Sequence, residues 1–238
     1  KKNNLISEKF IEINELIDLK NHKIKASFAN KKFSIEGKGQ IKLQNKFEII
    51  NYKIINNGSD LNLVSNIELS ELDIKNQSLI KEYLPKTKDM LNLKDHKIRA
   101  SYANKKLKIE GKGQVKLQNK FEFIDYDVAH SGSDLNLVSN IELSELDIKN
   151  QNLIKEYLPK TKNILNLKDH KIKLQYKNSN LSVEGLGKIS LDKEFSKINY
   201  IFSKKDKKYN FETDLEINDT PIKIDFINYE KDKNLNSQ

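Results

Sequence analysis

Cysteine and tryptophan are absent from this chain of 238 residues, and proline and glycine are scarce, at 3 and 8. Without cysteine there is no disulfide framework, no thiolate nucleophile and no thiolate metal centre. No run approaches the roughly 18 consecutive apolar residues of a membrane-spanning helix. No secretory leader stands at Lys1, which is not a methionine, so the chain reads as an excerpt from a longer protein. Charge is what the sequence has in quantity: 43 basic against 34 acidic residues leave a net +9, beside 37% apolar residues. That balance fits a soluble chain able to fold and long enough to bury well over half of its unfolded surface. The lysines alternate with acids, as in Lys105-Lys106-Leu107-Lys108-Ile109-Glu110, and form no basic arm, so nucleic acid is not an expected partner.

The chain repeats itself. His22-Lys23-Ile24-Lys25 returns as His96-Lys97-Ile98-Arg99 and again as His170-Lys171-Ile172-Lys173, a spacing of 74 residues in both steps. Asp60 to Asp95 reappears at Asp134 to Asp169 with changes only at Ser78/Asn152, Asp89/Asn163 and Met90/Ile164. The array reads as a first repeat over residues 1–66, partial at its start, a second over 67–140, a third over 141–214 and the beginning of a fourth over 215–238.

Within a unit the apolar period switches from helical to alternating. Leu79, Ile80, Tyr83 and Leu84 have helical spacing, closed by Pro85. Beyond Asp95, Ile98, Ala100 and Tyr102 alternate with Lys97, Arg99 and Ser101 as in a half-buried strand, and Asn104-Lys105 supplies a hairpin turn. Leu107, Ile109, Gly111, Gly113, Val115 and Leu117 share one face of the next strand. Phe121 and Phe123 open a third strand, whose phase change at Ile124, Tyr126 and Val128 predicts a bulge. After Gly132 turns the chain, Leu135, Leu137, Ile141 and Leu143 form a fourth, in phase through Ser139. The expected fold class is mainly β (α+β): tandem 74-residue repeats of one short helix plus about four long antiparallel strands, forming an extended curved sheet or groove. One short helix per unit is too little to cover such strands. Either the sheet curls onto itself or its apolar side holds something.

The polar residues offer little chemistry. His22, His96 and His170 recur one per unit, separated by four strands or roughly 20 Å, whereas a metal site needs converging ligands. They read as a repeated structural position, with no metal and no cofactor expected. Gly37-Lys38-Gly39, Gly111-Lys112-Gly113 and Gly185-Leu186-Gly187 lie inside strand patterns and not before a helix, so they are not phosphate loops; glycine there lets a long strand bend. Glu36, Glu110 and Glu184 have no recurring second carboxylate, and no asymmetric nucleophile–base arrangement is visible, so no enzyme activity is expected.

The run Leu79 to Pro85, repeated at Leu153 to Pro159, with the Gly-x-Gly strands after it, resembles the repeated β-rich region of the AsmA-like family, of the YhdP and TamB type. The first copy departs, reading Lys9-Phe10-Ile11 where the others read Tyr-Leu-Pro. The resemblance implies a segment of a periplasmic protein, anchored to the inner membrane by parts outside this chain, whose long sheet holds phospholipid acyl chains and supports outer-membrane integrity. It maps the groove onto Ile24, Ala26, Phe28, Ile35, Ile41 and Leu43 in the first unit, and Ile98, Ala100, Tyr102, Leu107, Ile109, Val115 and Leu117 in the second. In the third it maps onto Ile172, Leu174, Tyr176, Leu181, Val183, Ile189 and Leu191. The alternative is a closed β-repeat that buries the same face and serves as spacer or protein-binding scaffold.

Overall fold

The structure, a computed structural model, describes residues 18–58, 60–75, 87–150, 162–190, 195–206, 208–216, 222–224 and 228–231. The first four strands are β1 (Leu19–Ala29), β2 (Lys32–Leu43), β3 (Lys46–Asn56) and β4 (Leu61–Lys75). The next four are β5 (Met90–Ala103), β6 (Lys106–Leu117), β7 (Lys120–Ser131) and β8 (Asp134–Lys149). Then come β9 (Ile164–Lys177), β10 (Asn180–Ser190), β11 (Phe195–Lys205) and β12 (Lys208–Leu215), with a separate short hairpin of β13 (Ile222–Ile224) and β14 (Tyr229–Lys231). The first twelve form one antiparallel sheet in strict chain order.

The described residues are therefore all strand and turn. The expected helix at Leu79–Leu84 lies outside them. Among the described residues the sheet is open and uncurled, with β1 paired only to β2 and β12 only to β11, which speaks against the closed form of the scaffold alternative. The repeat boundaries at 67 and 141 fall inside β4 and β8, and the ladder runs through them without a break.

Local chemistry explains why the chain meanders so regularly. β1 and β2, β5 and β6, and β9 and β10 are each joined by two residues, both with positive φ: 51° and 63° at Asn30-Lys31, 50° and 60° at Asn104-Lys105, 48° and 67° at Asn178-Ser179. That is the type I′ turn whose twist matches the flanking strands. Bulges interrupt β1, β5 and β9 where Asn21, Asp95 and Asp169 take φ of 53°, 53° and 54°, a left-handed conformation that Asn and Asp tolerate best after glycine. Each bulge stands just before a histidine and restores it to the apolar face.

The bulge predicted in β7 is absent. β6 and β7 pair without a slip from Lys106↔Ser131 to Leu117↔Lys120. Phe121 and Phe123 instead lie on the opposite face from Ile124, and the inward position between them belongs to Glu122. The aromatic residues mislead because their aliphatic partners are lysine stems: Lys94 and Lys116 each place Nζ 5.4 Å from the Phe121 ring centre.

Candidate functional site

One face of the sheet is apolar along its whole width. Cross-strand partners share a face, so one row runs Ile67, Ile98, Gly111, Tyr126, Ser139, Leu174, Val183, Phe202 and Phe211 from β4 to β12. A parallel row holds Ile124, Ile141, Ile172, Gly185 and Tyr200. Among the described residues there is no helix to cover it.

The face has two ends. At the end where β8 leads toward β9, Leu143, Leu146, Leu165, Leu167, Ile189 and Ile198 form a buried cluster, with Leu165 fully enclosed. Leu69, Leu72, Leu91 and Val115 are buried one unit earlier. Toward the type I′ turns the face is open: Phe28 is 74% exposed, Leu61 44% and Tyr209 66%.

The groove candidates from the sequence share this one face but not one environment. Ile24, Ala26 and Phe28 are exposed on the edge strand β1. Ile35, Ile41, Leu43, Ile98, Ala100, Tyr102, Leu107, Ile109, Leu117, Ile172, Leu174, Tyr176, Leu181 and Val183 are half-buried. Val115 and Ile189 are buried, and Ile189 belongs to the cluster. Leu191 lies outside the described residues.

The repeated histidines are fixed inside this face. His96 and His170 are 1% exposed, and their Nε2–H groups donate to the Gln114 and Lys188 carbonyls at 2.9 Å; His22 does the same to Gln40. A carbonyl only accepts, so Nε2 carries the proton and Nδ1 a lone pair. Nδ1 of His96 faces the Tyr126 hydroxyl at 3.4 Å, while Nδ1 of His22 and of His170 has no partner. Burial lowers the pKa of His96 and His170 against the opposing pull of the carbonyl bond and Asp95 or Asp169. It also raises Tyr126, and pushes Tyr200 up to about 12. Among the described residues no three histidine, aspartate or glutamate side chains gather as metal ligands.

These rings explain the glycines, and differently from the sequence reading. A Cβ on Gly37, Gly111 or Gly185 would lie 2.1, 2.3 or 2.1 Å from the facing Tyr52, Tyr126 or Tyr200 ring, and one on Gly39, Gly113 or Gly187 within 2.3 Å of the histidine. Glycine is required here for close approach of a ring, not to bend a strand.

Sequence reasoning missed Glu122 and Gln118. Pairing of β7 with β8 stops at Phe123↔Glu142, while β8 runs on beside β9. The N–H groups of Ser144 and Glu145 lose their ladder partners, and the buried Glu122 carboxylate accepts from them at 2.7 and 3.4 Å and from Ser144 Oγ at 2.8 Å. Gln118 then donates to the Asp147 carbonyl at 2.7 Å and accepts from its N–H at 3.1 Å, as a strand neighbour would. Glu48 and Gln44 repeat the device on Ser70 and Asp73. The repeated string Gln-Asn-Lys-Phe-Glu, a turn that opens a strand with an inward acid, is the available signal.

The other face is charged and internally paired. Lys53 meets Glu36 at 2.6 Å, Lys108 meets Glu110 at 2.6 Å and Asp127 at 3.0 Å, and Lys120 meets Glu145 at 2.5 Å. Open concavities of about 980 and 590 Å³ lie along it, lined by groups of both signs such as Lys171, Glu142, Lys97 and Glu110. Compared with protein-family models, curated proteins and solved structures, the chain matches none.

Proposed function

We propose that the apolar face holds phospholipid acyl chains, as one wall of a groove in a longer periplasmic inter-membrane lipid transport protein. The observation that carries this reading is an apolar face that crosses all of the described strands of the large sheet, stays open toward the type I′ turns and bears no asymmetric polar cluster. Each methylene withdrawn from water contributes about 0.8 kcal/mol, so acyl chains need continuous apolar wall and no particular polar partner. Repetition of the same side chains every 74 residues offers similar sites along the sheet without a deep well. The resemblance to the AsmA-like family supplies the periplasmic setting, the inner-membrane anchor and the link to outer-membrane integrity. No catalytic step, cofactor or nucleic acid enters this function.

The test is mass spectrometry of organic extracts from the chain purified without detergent. It is compared with a variant carrying Ile98→Asp and Ile109→Asp on the half-buried part of the face, and with Lys97→Asp on the charged face. Phospholipid with the parent and with Lys97→Asp, and little with the folded double variant, is the expected result. Absence of lipid from a folded parent, also after incubation with phospholipid vesicles, would overturn the reading.

A further inference from the structure

The meander puts the turns that follow β1, β3, β5, β7, β9 and β11 all at one end of the sheet. Counted from the last residue of one strand to the first of the next, their described residues hold Lys31, Lys32, Lys105, Lys106, Lys177, Lys205 and Lys208 against Asp60, Asp134 and Asp206. These lysines are exposed, and among the described residues none has an ion-pair partner. Toward the opposite end the lysines are matched: Lys42 meets Asp18, Lys46 meets Glu71, Lys120 meets Glu145 and Lys188 meets Asp169. The row of turns is therefore a basic rim without internal neutralisation.

The same end is where the apolar face is open. β2, β4, β6, β8 and β10 start there, each with an apolar residue on that face at its first or second position: Phe33, Leu61, Leu107, Leu135 and Leu181. Phe33, Leu61 and Leu135 are 38%, 44% and 38% exposed, although their strands are paired on both sides. From Leu107 to the buried Val115, and from Leu181 to the buried Ile189, the face runs for roughly 26 Å. The hydrocarbon of one bilayer leaflet, half of about 30 Å, is shorter than that.

We propose that an anionic phospholipid lies on this face with its acyl chains along the strands and its head among the turn lysines. This rests on the acyl-chain reading above and adds to it an orientation and a head charge. Opposite charge draws the head to the rim, and a lysine stem is long enough to place its ammonium beyond the last apolar row. A zwitterionic head brings its own cation and gains less from the rim. Lys31-Lys32 and Lys105-Lys106 stand 74 residues and four strands apart, roughly 19 Å, so the head meets a like pair in successive units. In the third unit Ser179-Asn180 takes the place of the pair, and Lys177 supplies the cation beside the turn.

The test is competition between two heads. The chain is incubated with vesicles of phosphatidylglycerol and phosphatidylcholine in equal amounts and separated from them, and the lipid it retains is measured by mass spectrometry. The parent is expected to retain phosphatidylglycerol over phosphatidylcholine by about fivefold or more, and the preference should shrink at high salt, which screens exposed charges. Lys31→Gln, Lys32→Gln, Lys105→Gln and Lys106→Gln together should bring the ratio close to one. Lys97→Gln, Lys112→Gln, Lys171→Gln and Lys173→Gln remove the same charge from the other face and should leave the ratio unchanged, with circular dichroism confirming the sheet in each variant. Equal retention of both lipids by the parent would overturn the proposal and leave the acyl-chain reading standing, whereas retention of neither would overturn both. Equal loss of preference in the two fourfold variants would trace it to net charge and overturn the assignment to the turns. So would sedimentation with phosphatidylglycerol vesicles without retained lipid, which assigns the rim to a bilayer surface, or retention of glycerol phosphate as strong as that of the lipid, which assigns it to a free anion.

Discussion

The Cδ2 atom of His96 lies 2.3 Å from the point a Cβ on Gly113 would occupy, and the His96 Cα lies 2.8 Å from it. Ring and backbone both block the site, so an alanine there must move β5 away from β6. Gly113→Ala is expected to cost about 1–3 kcal/mol, the range for overpacking a filled interior. At Gly111 the nearest atoms are the outer end of the Tyr126 ring, Cζ at 2.3 Å and Oη at 2.4 Å, which can swing aside. Gly111→Ala should therefore cost less than Gly113→Ala in urea unfolding.

The buried imidazoles make stability depend on pH in a defined window. The folded pKa values of His96 and His170 lie below the ordinary 6.5 because burial disfavours the charged ring. The unfolded chain then binds protons first as pH falls, so this contribution is complete above 6.5 and is lost progressively below it. Hydrogen bonds from Lys53, Lys46, Lys108 and Lys120 hold Glu36, Glu71, Glu110 and Glu145 below 4.5, and their contribution fails only as pH drops through that lower range. Unfolding followed between pH 7 and pH 5 should show declining stability in the parent and a flatter profile for His96→Gln with His170→Gln. Equal slopes would refute the assignment.

Much of the sheet was legible because alternation and turn chemistry agree in Ile98-Ala100-Tyr102, Asn104-Lys105 and Leu107 to Leu117. Period-2 patterning names a face directly, and the groove candidates in the described residues do share one. Patterning failed where a polar residue takes an inward position. Glu122 is inside because it replaces missing ladder acceptors, and Phe121 is outside because lysines cover it. The pattern alone assigns Gly111 and Gly113 to bending because one dimension does not show the ring that sits above each of them. Openness of the sheet was equally hidden, since an open and a closed sheet bury the same alternating residues.

Glu122 gives a sharp test of the ladder-replacement reading. Glu122→Ala leaves the Ser144 N–H without its acceptor at an exposed residue where water can reach it, so the loss should fall at or below the low end of the about 1–3 kcal/mol that a fully buried orphan costs. Glu122→Gln keeps an acceptor oxygen and should lose only part of that. Hydrogen exchange provides the local readout: the Ser144 amide should exchange much faster in Glu122→Ala than in the parent, while amides in the β5–β6 ladder change only by the global loss. Unchanged protection at Ser144 would mean that Glu122 is buried for another reason.

The type I′ turns are a place where this sequence is short of its own optimum. Lys105 holds φ at 60° and Lys31 at 63°, a region that costs a non-glycine residue roughly 1–2 kcal/mol. Asn-Gly is the favoured pair for such a turn, and Asn30 and Asn104 already supply its first member. Lys105→Gly removes the steric cost but raises the entropy of the unfolded chain, which offsets about 0.4–1 kcal/mol. The net expectation is a gain of up to about 1 kcal/mol for Lys105→Gly, and a similar gain for Lys31→Gly, seen as higher urea midpoints with unchanged slope. The two turns lie four strands apart, roughly 19 Å, so their effects should add. A loss on either substitution would show that the lysine stabilises the turn by a contact outweighing its backbone strain.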